Sequence, residues 1–305
     1  MLAAVSVDLD EIGNYFAIHG LDAGASSHAV YDVAFARLLD WAGALSIPLT
    51  LFVVGEDLER RENVERLRAA HARGHEIANH SYSHKYDLVR RDYAEQIDEI
   101  ARGADAIARA VGERPTGFRA PGYTVSDTLF LAMKECGVGY DSSVFPCPAY
   151  YAAKTTAIAS IAMRGRKSRS IVDDPRVLTA PTRPYCVGAP YWKRGDGLRE
   201  VPIQVTRGLR LPYIGTTLTL AGPRGTRVLT RMCVGEPLVN LELHGIDVLD
   251  ASDGLSALAP HQPDVRVSLQ TKLDSLSEAV AILRNHGYKF LTLNEATTSH
   301  FSKSR

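Results

Sequence analysis

The feature that most restricts the fold of this chain is an alternation of short apolar segments and longer amphipathic segments over residues 2–143. Several of the amphipathic segments end at a glycine, as helices often do. We interpret residues 2–9, 49–54, 76–78, 117–119 and 138–143 as strands, and residues 27–45, 56–73, 87–111 and 126–136 as helices. Strands that alternate with helices form parallel sheets with the helices packed outside, so the pattern predicts an α/β fold.

The alternation is interrupted over residues 145–236, which contain nine of the fifteen prolines. We interpret this segment as an insertion of loops and short strands, for example at 209–220, with a short helix at 223–233. A strand at 239–243, a helix at 268–286 and a strand at 288–293 resume the pattern before a polar tail. We therefore expect one domain over residues 1–305, with 145–236 elaborating a pocket and 11–27 forming a loop over the site.

Charged side chains stand where two of the predicted strands end. Asp8 and Asp10 are two residues apart and point to the same side of an extended segment, where two carboxylates repel unless a cation or a proton lies between them. His80 and His84 follow another strand and share one face if the chain turns helical there. The alternatives are an acidic turn and a polar loop that happens to contain two histidines.

Two later strand ends carry Arg119 and His244. The carboxyl ends of parallel strands open on one face of a sheet or barrel, so all these side chains are expected to converge. Two imidazoles and one carboxylate with open positions are typical of a catalytic metal site. One carboxylate and one histidine remain to serve as base and acid.

These motifs, in this order, resemble the polysaccharide deacetylases of the NodB-homology group, carbohydrate esterase family 4. The resemblance rests on five motifs over residues 1–143 and 238–295: Val7-Asp8-Leu9-Asp10, His80-Ser81-Tyr82-Ser83-His84, Arg119-Ala120-Pro121, Tyr140-Asp141-Ser142-Ser143 and Leu241-Glu242-Leu243-His244. The Asp-x-Asp form of the first motif is similar to a branch that includes sugar-lipid deformylases and allantoinase-like amidases.

The resemblance implies a distorted (β/α) barrel with fewer than eight strands and a metal-dependent hydrolase that removes an N-acetyl or N-formyl group from an amino sugar. It also implies a role for each motif residue. Asp10, His80 and His84 hold the metal, Asp8 is the base on the metal-bound water, Arg119 steadies Asp8, His244 is the acid, Asp141 orients His244, and Gly122 and Tyr123 face the substrate or its oxyanion. Two nitrogens and one oxygen suit Zn²⁺ first, and also Co²⁺, Ni²⁺ or Fe²⁺.

Two other functions remain as alternatives at this point. One is an allantoinase-like amidase that acts on a non-sugar C–N bond, and the other is a non-catalytic carbohydrate- or metal-binding relative. For the hydrolase, we expect an N-acylated amino sugar that is free, nucleotide-linked or lipid-linked.

The composition of the chain indicates which binding partners and which cellular compartment to expect. The formal net charge is zero, so no basic excess indicates nucleic acid. The four cysteines form no CxxC pair, and no apolar run is long enough to span a membrane. The apolar start of the chain reaches Asp8 too soon for a signal peptide, so we expect a cytoplasmic protein, with peripheral membrane contact left open.

A basic cluster lies inside the predicted insertion and consists of Arg164, Arg166, Lys167 and Arg169. One interpretation is a solvated loop, and the other is a lid that contacts an anionic substrate.

Overall fold

A computed structural model of the protein describes residues 1–22 and 28–302, in which a curled, mostly parallel β-sheet is covered by helices. In these residues the strands are β1 Leu2–Asp8, β2 Thr50–Val53, β3 Glu76–Asn79, β4 Gly117–Phe118, β5 Tyr140–Asp141, β6 Tyr185–Val187, β7 Arg194–Glu200, β8 Leu238–His244 and β9 Lys289–Phe290. The α-helices are α1 Ile12–Ile18, α2 Phe35–Ala44, α3 Arg61–Ala72, α4 Tyr93–Val111, α5 Asp127–Glu135, α6 Pro148–Met163, α7 Gly215–Cys233, α8 Leu269–Asn285 and α9 Leu293–Ser302.

The strand order is β6-β7-β5-β4-β3-β2-β1-β8, and β9 pairs with β1 outside this row. All pairs are parallel except β6 with β7. The row from β5 to β8 has six strands, and the segment 145–236 adds β6 and β7 at its open edge. The predicted α/β fold with a distorted barrel of fewer than eight strands is confirmed for this row.

The register of the sheet brings the expected strand ends together. Asp8 lies opposite Phe52 of β2 and opposite His244 of β8, and Asn79 lies opposite Phe118. The residues that follow β1, β3 and β4 therefore meet His244 at one edge of the sheet.

Strand β1, which pairs with β2, β8 and β9, is buried along almost its whole length, which is typical of a parallel strand covered by helices on both faces. The longest uninterrupted helix, α4, starts where the Asp92 side chain accepts a hydrogen bond from the Glu95 N–H and ends at Gly112, whose φ of 84° is a left-handed C-cap. The largest apolar cluster joins β1, β2 and β8 to helices that include α2 and α8. No helix in the described part of the chain is both long enough and apolar enough to cross a bilayer.

The segment 145–236 is more regular than predicted. It contains α6, a 16-residue helix, and α7, which is interrupted at Gly222 before Pro223. The predicted helix at 223–233 is confirmed, but the predicted strand at 209–220 is wrong because α7 already begins at Gly215. Strand β7 pairs in parallel with β5, so the segment extends the main sheet.

Other boundaries also differ from the predictions. The loop expected at 11–27 contains α1, which is capped by Glu11, whose side chain accepts a hydrogen bond from the Ile12 N–H. The rest of that loop, residues 23–27 with the predicted helix cap Ser27, lies outside the described residues. The following helix begins with a π-helical turn at Val30–Ala34 and continues as α2. The strand predicted at 138–143 is only β5, and the polar tail forms α9.

Candidate active site

Asp8 and Asp10 emerge from the end of β1 and are both buried, with 1% and 5% of their surface exposed. Asp8 is the last residue of the strand and Asp10 follows it by two positions. Burial raises the pKa of Asp8, and the opposing charges of Arg119 and His80 only partly compensate. Burial also opposes ionisation of Asp10, but His84 and His80 outweigh it and hold its pKa well below its usual range.

His80 and His84 follow β3 in an irregular loop, so the prediction that they share a helical face is wrong. Ser81 and His84 have positive φ values of 65° and 52°, and the Ser81 hydroxyl accepts a hydrogen bond of 3.1 Å from the His84 N–H. This turn brings the two imidazole centroids to 4.8 Å. The Nδ1–H of His80 donates to the Arg119 carbonyl oxygen at 2.7 Å, which points Nε2 toward Asp10.

Asp10, His80 and His84 form a group with the composition of a metal site. Asp10 Oδ1 lies 3.2 Å from His80 Nε2, and Asp10 Oδ2 lies 3.1 Å from His84 Nε2. One potential ligand atom from each of the three lies within 4.8 Å of the others. Asp10 Oδ1 and both Nε2 atoms are buried without a hydrogen-bond partner in the described part of the chain. Unpartnered buried polar atoms are costly, so this donor set fits a divalent cation.

Arg119 holds Asp8 in place. Its guanidinium is fully buried and lies 2.5 Å from Asp8 Oδ1, and it donates to the hydroxyls of Ser6 at 2.9 Å and Ser142 at 3.0 Å. It also stacks over the Phe52 ring, 4.0 Å from the centroid. Since Arg119 is fully buried and hydrogen-bonded on several sides, it fixes the position of the Asp8 carboxylate.

His244, at the end of β8, contacts a carboxylate that the sequence analysis did not identify. Its Nδ1 lies 2.9 Å from Glu242 Oε1, and its Nε2 lies 3.2 Å from the Tyr123 hydroxyl. Burial lowers the pKa of His244, but Glu242, Asp8 and Asp10 outweigh burial and raise it well above the usual value. His244 is therefore positively charged near neutral pH.

The expected contact between Asp141 and His244 is not present. Asp141 accepts a hydrogen bond of 2.7 Å from the Ser143 hydroxyl and interacts with the side chain of Glu200 instead. Glu242 was detectable from the sequence, because it precedes His244 by two residues in a strand and so points to the same side. The rule that we applied to Asp8 and Asp10 applies equally to this pair.

Gly122 and Tyr123 lie in a short 3₁₀ turn beside the site. The Gly122 φ is 63°, and a Cβ at this position would lie 2.9 Å from the Tyr86 ring, so no larger residue fits without a shift. The Gly122 carbonyl accepts a hydrogen bond of 2.8 Å from Lys154 Nζ of α6, a contact that the sequence did not indicate. The predicted role of the Gly122 N–H toward an oxyanion stays a prediction.

Asp247 and Glu11, for which the sequence indicates no definite role, hydrogen-bond to the backbone near the site. Asp247 Oδ2 accepts a hydrogen bond of 2.8 Å from the His244 N–H, and burial raises its pKa to about 7. Glu11 accepts from the backbone N–H groups of Ile12, Val30 and Tyr31 at 3.3 Å each. Both residues thus fix the loops that surround the site.

Parts of this chain resemble known proteins. A family model described as polysaccharide deacetylase matches residues 23–140. The peptidoglycan deacetylase of Helicobacter pylori is 26% identical over 148 residues, which cover 47% of this chain and 50% of that protein. The chitooligosaccharide deacetylase of a Bradyrhizobium strain is 37% identical over 90 residues, which cover 29% of this chain and 40% of that protein. The chain thus spans half or less of the length of these two curated relatives.

Among solved structures, a Mycobacterium smegmatis protein assigned to the polysaccharide deacetylases superposes with a TM-score of 0.53. It is 22% identical, and the match covers 96% of this chain and 93% of that one. At this identity the likeness establishes the fold, which is the NodB-like α/β fold expected from the motifs.

Proposed function

From the confirmed resemblance to the polysaccharide deacetylases, we propose that this chain hydrolyses the N-acyl group of an amino sugar or sugar conjugate. The observation that supports the proposal most is the convergence of three groups at one sheet edge. These are the Asp10, His80 and His84 donor set, the Asp8–Arg119 pair and the His244–Glu242 pair. Metal donors, a held carboxylate and a charged imidazole are the parts that amide hydrolysis requires.

Asp8 is suited to act as the base. A divalent cation held by Asp10, His80 and His84 would lower the pKa of a bound water and polarise the amide carbonyl. Asp8 Oδ2 lies 3.7 Å from His80 Nε2, so its carboxylate faces the same space as the metal donors. A pKa raised above the usual value makes Asp8 a stronger base than an exposed aspartate.

His244 is suited to act as the acid. An amine leaves an amide poorly unless its nitrogen is protonated, and Glu242 keeps the imidazole charged for that step. The Nε2 atom, near the Tyr123 hydroxyl, is the one available to the substrate because Nδ1 faces Glu242. In the reaction, water adds its oxygen to the acyl carbon, one water proton passes to Asp8, His244 protonates the nitrogen, and the C–N bond breaks to give a carboxylic acid and an amine.

The two curated relatives named above are a peptidoglycan deacetylase and a chitooligosaccharide deacetylase. We therefore take N-acetyl as the first candidate acyl group and N-formyl as the second. We also propose that residues 1–305 form one domain in which 145–236 shapes the pocket, since Tyr150 packs on Tyr123 and Phe145 and Lys154 binds the Gly122 carbonyl. The cytoplasmic location and zinc as the metal stay predictions.

The test is an assay for free acetate and formate over a panel of N-acylated amino sugars, using protein reconstituted with Zn²⁺, Co²⁺, Ni²⁺ or Fe²⁺. Dipicolinate should abolish release, and the reactivating metals identify the cofactor. The Asp8→Asn variant should retain its metal but lose about 10²–10⁴-fold in kcat, the usual contribution of a general base. Asp105→Asn, an exposed carboxylate of α4, is the matched control and should keep wild-type activity.

Three outcomes would contradict the proposal. Full activity of Asp8→Asn would exclude Asp8 as the base. Hydrolysis of a ureide with no release from any sugar would favour the amidase alternative. Tight sugar binding without turnover under every metal would favour a non-catalytic binding protein.

A further inference from the structure

A cavity of about 820 Å³ opens beside His84, between the loop that follows β3 and the loop that follows α6. The first loop contributes residues 83–87 together with Arg90 and Arg91, and the second contributes residues 167–172. The cavity thus lies at the metal-binding end of the sheet and is closed on one side by the segment 145–236.

The lining of the cavity is strongly basic. It contains five cationic side chains, those of Lys85, Arg90, Arg91, Lys167 and Arg169, and one carboxylate, that of Asp87. A concave surface with one dominant sign of charge attracts ligands of the opposite sign.

Two of these cations are already neutralised by the protein. Lys85 Nζ lies 2.8 Å from Glu95 and 3.0 Å from Glu99, and Arg91 lies 2.8 Å from Asp87. By contrast, Arg90, Lys167 and Arg169 form no ion pair within 4.0 Å across residues 1–22 and 28–302. Three positive charges from opposite walls are therefore available to a ligand.

The second loop is held against α1, so the basic wall is built into the fold. The Ser168 hydroxyl donates to the Ile18 carbonyl at 2.6 Å, and the Arg169 N–H donates to the Ala17 carbonyl at 3.2 Å. Gly20, with a φ of 62°, lets the loop approach so closely that a Cβ there would lie 2.9 Å from the Lys167 carbonyl oxygen. These contacts place Lys167 and Arg169 in the lining independently of any ligand.

The cavity reaches one of the candidate metal donors, because His84 is part of its lining. Tyr86 lines the cavity and stands edge-on to His84, with ring centroids 4.7 Å apart. A single small substrate can therefore present one group at His84 and a second group to the basic wall.

We propose that this cavity binds the phosphate or diphosphate group of the amino sugar whose N-acyl group is removed. The proposal rests on the proposed function and specifies its substrate class. A sugar carboxylate would leave most of the positive charge uncompensated, whereas a phosphate brings up to two negative charges and accepts paired hydrogen bonds from arginine. Nucleotide-linked and lipid-linked sugars share this chemistry.

The test compares kcat/KM of the zinc-reconstituted protein for N-acetylglucosamine, its 1-phosphate, its uridine diphosphate conjugate and a water-soluble prenyl diphosphate conjugate. We expect the phosphorylated forms to exceed the neutral sugar at least tenfold at 50 mM salt, and this preference should shrink at 0.5 M salt because screening weakens exposed charge contacts. Among the three phosphorylated sugars, the one with the highest kcat/KM identifies the source of the phosphate.

Variants assign the preference to the cavity. Arg169→Ala and Arg90→Ala, on opposite walls, should each lower the ratio of kcat/KM for phosphorylated over neutral sugar by about three- to tenfold. Arg164→Ala removes an exposed charge of the same basic cluster that does not line the cavity, and it should keep the ratio. If one of the two cavity variants fails to fold, the ratio of kcat/KM measured for the other variant still tests the proposal.

Calorimetric binding separates failure of this proposal from failure of the proposed function. If no sugar is deacylated but the 1-phosphate binds at least tenfold more tightly than the neutral sugar and Arg169→Ala removes this difference, the basic cavity is supported and the hydrolase is wrong. If neutral and phosphorylated sugars are deacylated equally in wild type and in both variants, the hydrolase is supported and the phosphate site is wrong.

Discussion

Replacing Glu242 with glutamine tests whether a carboxylate keeps His244 charged. The two side chains are 2.9 Å apart, and Glu242 is fully buried. Glutamine has nearly the same shape and its amide oxygen can still accept from Nδ1–H, so the substitution removes the charge and leaves the ring orientation largely intact. The remaining groups that raise the pKa of His244, Asp8 and Asp10, stay in place.

The size of the effect follows from the buried contact. An opposite charge within about 4–6 Å shifts a pKa by about one to three units. Removing the Glu242 charge, 2.9 Å from Nδ1, should therefore lower the pKa of His244 by about one to two units. In the proposed mechanism His244 acts in its protonated form, so the alkaline limb of the kcat profile should move to lower pH by the same amount. Above that limb, kcat should fall by about 10–100-fold relative to wild type.

The assay is kcat for acyl release between pH 5 and 10, with metal content and melting temperature measured on the same samples. Glu200→Gln is the matched control, since Glu200 is another fully buried carboxyl group of the same sheet, and its limb should stay in place. If Glu242→Gln keeps the wild-type alkaline limb while its metal content and fold are unchanged, Glu242 does not set the charge of His244 and the acid assignment loses its support.

Two predictions concern stability. Burial, together with the nearby charge of Asp141, raises the pKa of Glu200 well above its usual value. The native state therefore keeps a proton that the unfolded state loses above about pH 4.5, so this contribution to stability is complete below that pH and is lost as the pH rises toward the native pKa. Glu200→Gln should flatten this decline in stability with rising pH, measured by urea unfolding. Lys272 donates at 2.9 and 2.6 Å to two backbone carbonyls of the loop after β8 and lies 3.6 Å from the buried Asp264. Lys272→Met should lower the free energy of unfolding by about 3–5 kcal/mol, and adding Asp264→Leu should restore most of it; equal stability of the single variant and wild type would contradict this reading.

Much of the sheet and most of the site could be predicted from the sequence, because both follow from strand ends. Apolar strands of a parallel sheet are buried on both faces, so their charged C-terminal residues are conspicuous. That reasoning placed Asp8, Asp10, Arg119 and His244 at one edge, where the structure has them. It did not give the path between His80 and His84, because positive φ values at non-glycine residues depend on contacts such as the Ser81 hydroxyl bond rather than on local preference.

The sequence predicts the structure of the segment 145–236 poorly for a different reason. Prolines usually indicate loops, but Pro148 occupies the first turn of α6, a position where proline favours a helix. Most of α6 is also exposed, with only Ile161 fully buried, so the sequence shows no helical periodicity to recognise. The contact from Lys154 to Gly122 therefore depends on tertiary packing that no local pattern reports.

Arg119 explains why residues from distant parts of the chain form one site. Its guanidinium holds the Asp8 carboxylate, while its backbone carbonyl accepts the Nδ1–H of His80. Arg119, which directly follows the two-residue strand β4, thus contacts both the proposed base and one of the candidate metal donors. On the other side of β1, Glu242 balances the charge of His244 as Arg119 balances Asp8. With these two pairs neutral, the charge of Asp10 remains. It lies between two imidazole nitrogens that have no hydrogen-bond partner in the described residues, so a divalent cation is the ligand that this arrangement fits.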